Sequence, residues 1–97
     1  MKTLKFKNHD ESVAIGKMVC VGRNYAAHAK ELGNEVPEFP IIFLKPSSVV
    51  IHDGDKIVHP TYSNDLHHEV ELVLYIGEEV KDADNSSAEK AIHGYAV

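Results

Sequence analysis

Polar and apolar positions alternate most regularly over residues 69–76, where Val70, Leu72, Leu74 and Ile76 share one face of an extended chain and Glu69, Glu71, Val73 and Tyr75 share the other. That period of two predicts a β-strand. The alternation Thr3-Leu4-Lys5-Phe6-Lys7 predicts a shorter one, followed by a polar turn at Asn8-His9-Asp10-Glu11. The apolar run Met18-Val19-Cys20-Val21 reads as a buried strand ending at Gly22, and Ile41-Ile42-Phe43-Leu44 as a further strand. Between residues 49–51 and 56–58, Asp53-Gly54 is a pair that favours a tight turn, so a hairpin is expected there. The Ala-rich stretch over residues 25–32 predicts a helix of about two turns, with Asn24 placed to cap its start and Gly33 its end. Pro37 and Pro40 stop any continuation, leaving a polar loop that with the helix could form a flap. Ser86-Ser87-Ala88-Glu89 has capping-box spacing for a second helix ended by Gly94, after which Tyr95-Ala96-Val97 opens another strand. The sum is a single α+β unit, rich in β-structure, with one or two short helices and no internal repeat.

Composition narrows the function. With 15 acidic against 10 basic residues and a formal charge of −5, the chain lacks the clustered Lys and Arg that nucleic-acid binding requires. Cys20 is the only cysteine, which excludes an internal disulfide and a cysteine-based zinc site and fits a reducing, cytoplasmic compartment. No apolar run approaches the roughly 20 residues that cross a bilayer, so no membrane partner is expected.

Three groups could carry chemistry. Glu69 and Glu71, two apart on a strand, have backbones roughly 6.5 Å apart and can bring carboxylate oxygens onto one hard cation. The competing reading places both on a solvated strand face, although Val73 and Tyr75 continue that face with apolar character. His28 and Glu31, three apart on the predicted helix, share a face, so the carboxylate can orient the imidazole as a general base for water; a surface pair has the same spacing. Lys45 follows an apolar strand and precedes Pro46, where a strand end can aim a cation into a cleft, and Arg23 after Gly22 could bind a carboxylate in the same way. A solvated strand end would look alike. His67 and His68 do not read as a zinc pair, since neighbours on a strand point to opposite faces. His9, His52, His59 and His93 show no shared spacing, and Tyr25 reads as a packing residue with its hydroxyl at the rim.

Taken in order, the stretches Val21-Gly22-Arg23-Asn24-Tyr25-Ala26-Ala27-His28-Ala29-Lys30-Glu31, then Pro40-Ile41-Ile42-Phe43-Leu44-Lys45-Pro46, then His67-His68-Glu69-Val70-Glu71-Leu72 resemble the fumarylacetoacetate hydrolase family. The resemblance runs over residues 18–97 and is nearest the branch of acylpyruvate hydrolases and oxaloacetate decarboxylases. It implies a mixed, β-rich α+β roll and a homodimer. It also implies magnesium or manganese held by Glu69 and Glu71, a water-activating dyad of His28 and Glu31 on a lid helix, and Lys45 lining the site. The activity implied is metal-dependent cleavage of a carbon–carbon bond in acylpyruvate-type 2-oxo acids, with a decarboxylase or isomerase of 2-oxo diacids as the alternative. In that family the chain continues past the Gly-Tyr-Ala-Val stretch into a segment with a third, aspartate ligand, so these 97 residues are expected to be an N-terminal part and inactive alone.

Overall fold

A computed structural model describes residues 1–25, 33 and 38–97. The predicted helix over 25–32, with His28 and Glu31, lies outside the described residues except for Tyr25. The chain divides into two units, Met1–Ile57 and Val58–Val97.

In the first unit, β1 (Thr3–Lys5) and β2 (Ser12–Ala14) pair antiparallel with Leu4 opposite Val13, the half-buried residue of each strand. Asn8 turns the chain between them at φ 65°, a left-handed conformation that Asn tolerates better than most residues. β3 (Met18–Gly22) pairs antiparallel with β4 (Ile41–Lys45), from Met18 opposite Lys45 to Gly22 opposite Ile41. Alternation along that register puts Met18, Cys20, Gly22, Ile41, Phe43 and Lys45 on one face and Val19, Val21, Ile42 and Leu44 on the other. Both faces are therefore apolar, the signature of a sheet covered on two sides. In this chain Val19 and Leu44 are 60% and 64% exposed.

The expected hairpin around Asp53-Gly54 forms only its turn. The Asp55 amide donates to the His52 carbonyl at 3.0 Å, and Gly54 takes φ 87°, which glycine adopts without steric cost. Its arms do not pair, and a 3-10 turn over Ser47–Val49 takes up the first residue of the first arm. The His52 ring instead reaches the Thr3 carbonyl at 2.7 Å through Nε2, tying the turn to β1.

In the second unit, β5 (Val73–Ile76) pairs antiparallel with β6 (Ile92–Ala96), and helix α1 (Asn85–Lys90) lies between them in sequence. The predicted strand over 69–76 is thus shortened to its second half. Val73, at the start of β5, is opposite Ala96. The ladder carries a bulge at Tyr75/Ile76. Gly94 does not end the helix; it lies inside β6, and Ala91 is the C-cap. The helix also starts earlier than the Ser86 cap would have it. Asp84 is the N-cap, and its Oδ1 accepts from the Ser87 amide at 2.8 Å. Aspartate wins because its charged oxygen satisfies an otherwise orphaned amide more strongly than a hydroxyl.

That hydrogen bond to Ser87 holds the Asp84 carboxyl below its ordinary value of 3.8. A depressed carboxylate pKa means that the cap contributes in full above the unfolded value and is lost as pH falls through the lower, native one. Amide exchange at Ser87 should accelerate relative to the β5–β6 amides as pH falls below the ordinary carboxylate value of 3.8, and Asp84→Ala should remove that pH dependence. An unchanged exchange profile in the variant would show that Asp84 does not cap the helix.

Among the described residues only Ala91 is a fully buried apolar residue, at 1% exposure, where α1 meets β6. The chain leaves 8795 Å² accessible, whereas two separately compact units of these lengths would expose roughly 6,700 Å². Hairpins and turns order the backbone locally, but the described residues of neither unit enclose a substantial apolar core.

Candidate functional site

The candidate residues are distributed over both units: Arg23 and Lys45 in the first, Glu69 and Glu71 in the second. His28 and Glu31 lie outside the described residues.

Lys45 closes β4, opposite Met18, and its Nζ sits 5.8 Å from the centroid of the Phe43 ring on the same sheet face. An exposed cation–π contact of this kind contributes about 0.5–1 kcal/mol, enough to bias the ammonium toward that face. Arg23 follows Gly22 at the other end of the sheet and takes φ 53°, a left-handed backbone costing a non-glycine residue roughly 1 kcal/mol or more. Four residues at 3.4 Å each, roughly 14 Å, separate the Gly22–Ile41 level from Lys45. The two cations therefore belong to opposite ends of the sheet and would approach a ligand from different directions. Tyr25 is 43% exposed, consistent with a residue at a rim.

Glu69 and Glu71 stand before the β5 ladder, with Glu71 half-buried and Glu69 exposed. Among the described residues no three His, Cys, Asp or Glu side chains converge as a metal-binding group. The carboxylates are hard oxygen donors, which suits a hard divalent cation, and they would provide two of its six or more positions. Their surroundings favour a cation too. Residues 58–97 hold eight acidic and two basic residues, so the negative field of the whole chain is concentrated in this unit.

Two residues ahead of Glu69, the His67 imidazole contacts Asp65 at 2.6 Å, Nε2 to Oδ1. Asp65 is itself fixed by Ser63: the Asp65 amide donates to Ser63 Oγ at 3.1 Å, and that hydroxyl donates to the Asp65 carbonyl at 3.4 Å. Reading His67 only as half of a His-His pair missed this partnership, which the spacing Asp65-Leu66-His67 could have signalled. His93, likewise given no role by spacing, lies over Gly77, where a Cβ would fall 2.2 Å from its Nδ1.

Known proteins resemble this chain over most of its length. A mitochondrial oxaloacetate tautomerase of Arabidopsis thaliana is 58% identical over 81 residues, covering 84% of this chain and 36% of that protein. A mitochondrial oxaloacetate decarboxylase of Dictyostelium discoideum is 50% identical over 82 residues, 84% of this chain and 38% of that protein. The oxaloacetate tautomerase YcgM of Escherichia coli is 42% identical over 83 residues, 86% and 38% respectively. The chain thus spans little more than a third of the length of these curated relatives. No solved structure matches it. A family model described as fumarylacetoacetate (FAA) hydrolase C-terminal matches residues 17–97, and with that span, which includes every candidate site residue, the chain belongs to the fumarylacetoacetate hydrolase family.

Proposed function

We propose that these residues form part of an enzyme that generates and stabilises the enolate of a small 2-oxo acid, with oxaloacetate-type diacids as its substrate class. The observation that carries this reading is the 58% identity to a protein named oxaloacetate tautomerase, supported by a decarboxylase of the same acid at 50%. Glu69 and Glu71 would hold Mg2+ or Mn2+, and the bound cation supplies Lewis-acid polarisation of the keto group. The chain's own residues do the rest. Lys45 places a positive charge where the enolate oxygen develops, and Arg23 pairs with a substrate carboxylate. For tautomerisation a ring nitrogen of His28, oriented by Glu31, accepts the C3 proton of the 2-oxo acid; decarboxylation, which reaches the enolate by loss of CO2, does not call on it. The acidic balance of the chain supports a small-molecule substrate over nucleic acid, and the working enzyme is read as a homodimer.

Cleavage of a carbon–carbon bond in acylpyruvates is the second reading, favoured by the His28 and Glu31 spacing. There His28 takes a proton from water, which attacks the distal carbonyl, and the bond breaks to leave pyruvate enolate. Both readings share that enolate; only hydrolysis needs the activated water.

One variant separates them. In the protein as its complete reading frame encodes it, His28→Ala should reduce acylpyruvate cleavage by about 10²–10⁴-fold, the usual contribution of a general base. Decarboxylation of oxaloacetate, which uses no attacking water, should retain measurable activity. Assays follow the loss of enol absorbance from oxaloacetate and the release of pyruvate from an acylpyruvate. Turnover of neither substrate by the unaltered protein with Mg2+ or Mn2+ would end both readings.

A further inference from the structure

The Asp65–His67 contact is too exposed to be a stability element: its side chains are 51% and 85% accessible on His67 and Asp65, and ion pairs at such sites contribute little to folding. It nevertheless belongs to a continuous chain of hydrogen bonds ahead of the two glutamates. The Ser63 amide donates to the Pro60 carbonyl at 3.4 Å, Ser63 holds the Asp65 backbone from both sides, and Asp65 Oδ1 holds His67 Nε2. With Nε2–H donated to Asp65, the other ring nitrogen, Nδ1, keeps its lone pair as an acceptor. Two residues of chain span at most about 7 Å, so the His67 and Glu69 backbones cannot be further apart than that, within the reach of an imidazole and a glutamate to neighbouring positions around one cation. Carboxylate–imidazole pairs beside cation sites recur because the carboxylate fixes both the ring's tautomer and its direction.

We propose that Asp65 and His67 are positioning residues for the cation held by Glu69 and Glu71, Asp65 orienting the His67 ring so that Nδ1 accepts a hydrogen bond from a water on that cation. The inference rests on the reading of Glu69 and Glu71 given above and adds two residues to it. It assigns His67 no direct bond to the metal.

Mn2+ titration of the protein tests it by two readouts, free Mn2+ from its electron paramagnetic resonance signal and paramagnetic broadening of histidine ring protons. In the unaltered protein Mn2+ should broaden His67 at lower occupancy than His93, together with the amides of residues 69–71. Asp65→Ala should weaken Mn2+ binding about tenfold, the scale on which outer-shell partners act. Asp65→Asn, whose Oδ1 still accepts from Nε2–H, should restore most of the affinity. Chemical shifts of the β5–β6 amides report that each variant keeps its hairpin, and the broadening order in the unaltered protein needs no variant at all. If the 69–71 amides broaden while His67 does not, or while Asp65→Ala leaves the affinity unchanged, the positioning role is overturned and the carboxylate pair stands. If the 69–71 amides fail to broaden at all, the cation reading itself is lost and this inference with it.

Discussion

Replacing Glu69 and Glu71 together by Gln should weaken Mn2+ binding at least about 100-fold, beyond the 10–100-fold that loss of an outer-shell partner costs. The substitution keeps shape and removes two charges, so its effect could come from lost ligands or from a weaker negative field. The acidic unit provides the control. Glu78 and Glu79 are also neighbours in the 58–97 unit, and Glu78→Gln with Glu79→Gln removes the same two charges from the same segment of chain. A field effect acts on both pairs alike and fades with salt over a Debye length of about 8 Å at physiological ionic strength. A ligand effect is confined to Glu69 and Glu71 and survives at higher salt. The expected result is a large loss for the first pair and a change within about threefold for the second, the size of screened surface electrostatics. Equal losses for both pairs, erased by salt, would remove Glu69 and Glu71 from the cation site.

The second large effect is steric. Gly77→Ala should destabilise the β5–β6 hairpin by about 2 kcal/mol, in the range for forcing a methyl into occupied space. A Cβ at Gly77 would lie 2.2 Å from His93 Nδ1, 2.3 Å from its Cγ and 2.7 Å from its Cβ. The side chain cannot yield merely by swinging its far end, because its own Cβ is among the crowded atoms. The bulge at Tyr75/Ile76 fixes the local geometry, and the Gly77 amide donates to the Ala91 carbonyl at 2.9 Å, so the Gly77 backbone is also tied. The cause can be separated by a double-mutant comparison. His93→Ala removes the ring and should recover part of the loss, whereas His93→Gly removes Cβ as well and should recover the rest of the steric penalty. Hydrogen exchange of the β5–β6 amides, or denaturant unfolding of the protein, measures each step. If Gly77→Ala is neutral, His93 does not pack over this glycine.

Much of the strand content was legible because its signals are local. Met18–Gly22 and Ile41–Lys45 announced themselves as apolar runs bounded by glycine and proline, and β1 by its alternation. The less legible features depend on competition between neighbours. Asp84 took the cap from Ser86 because two oxygen-bearing residues could each start the helix and the charged one bonds an orphan amide more strongly. The hairpin expected around Asp53-Gly54 kept its turn without a ladder, and the 3-10 turn over Ser47–Val49 takes up the first residue of its first arm. For the candidate site, the residue types and their spacing were readable, including the pair Glu69 and Glu71 and the strand-end Lys45. The clamp of His67 by Asp65 was missed because attention to adjacent histidines hid the carboxylate two residues before them.

By itself, the sequence determined which family this chain belongs to, where most of its strands and turns lie, and which side chains are candidates for chemistry. Those properties depend on backbone preference and on the order of residues, both contained within short segments. Only the tertiary structure decided that β3 pairs with β4 and β5 with β6, how far each ladder runs, that Arg23 and Lys45 stand at opposite ends of one sheet, and that His93 covers Gly77. Pairing register, bulges and close contacts arise between segments distant in sequence, where the energy of one arrangement depends on what the other segment offers; no local pattern contains that information.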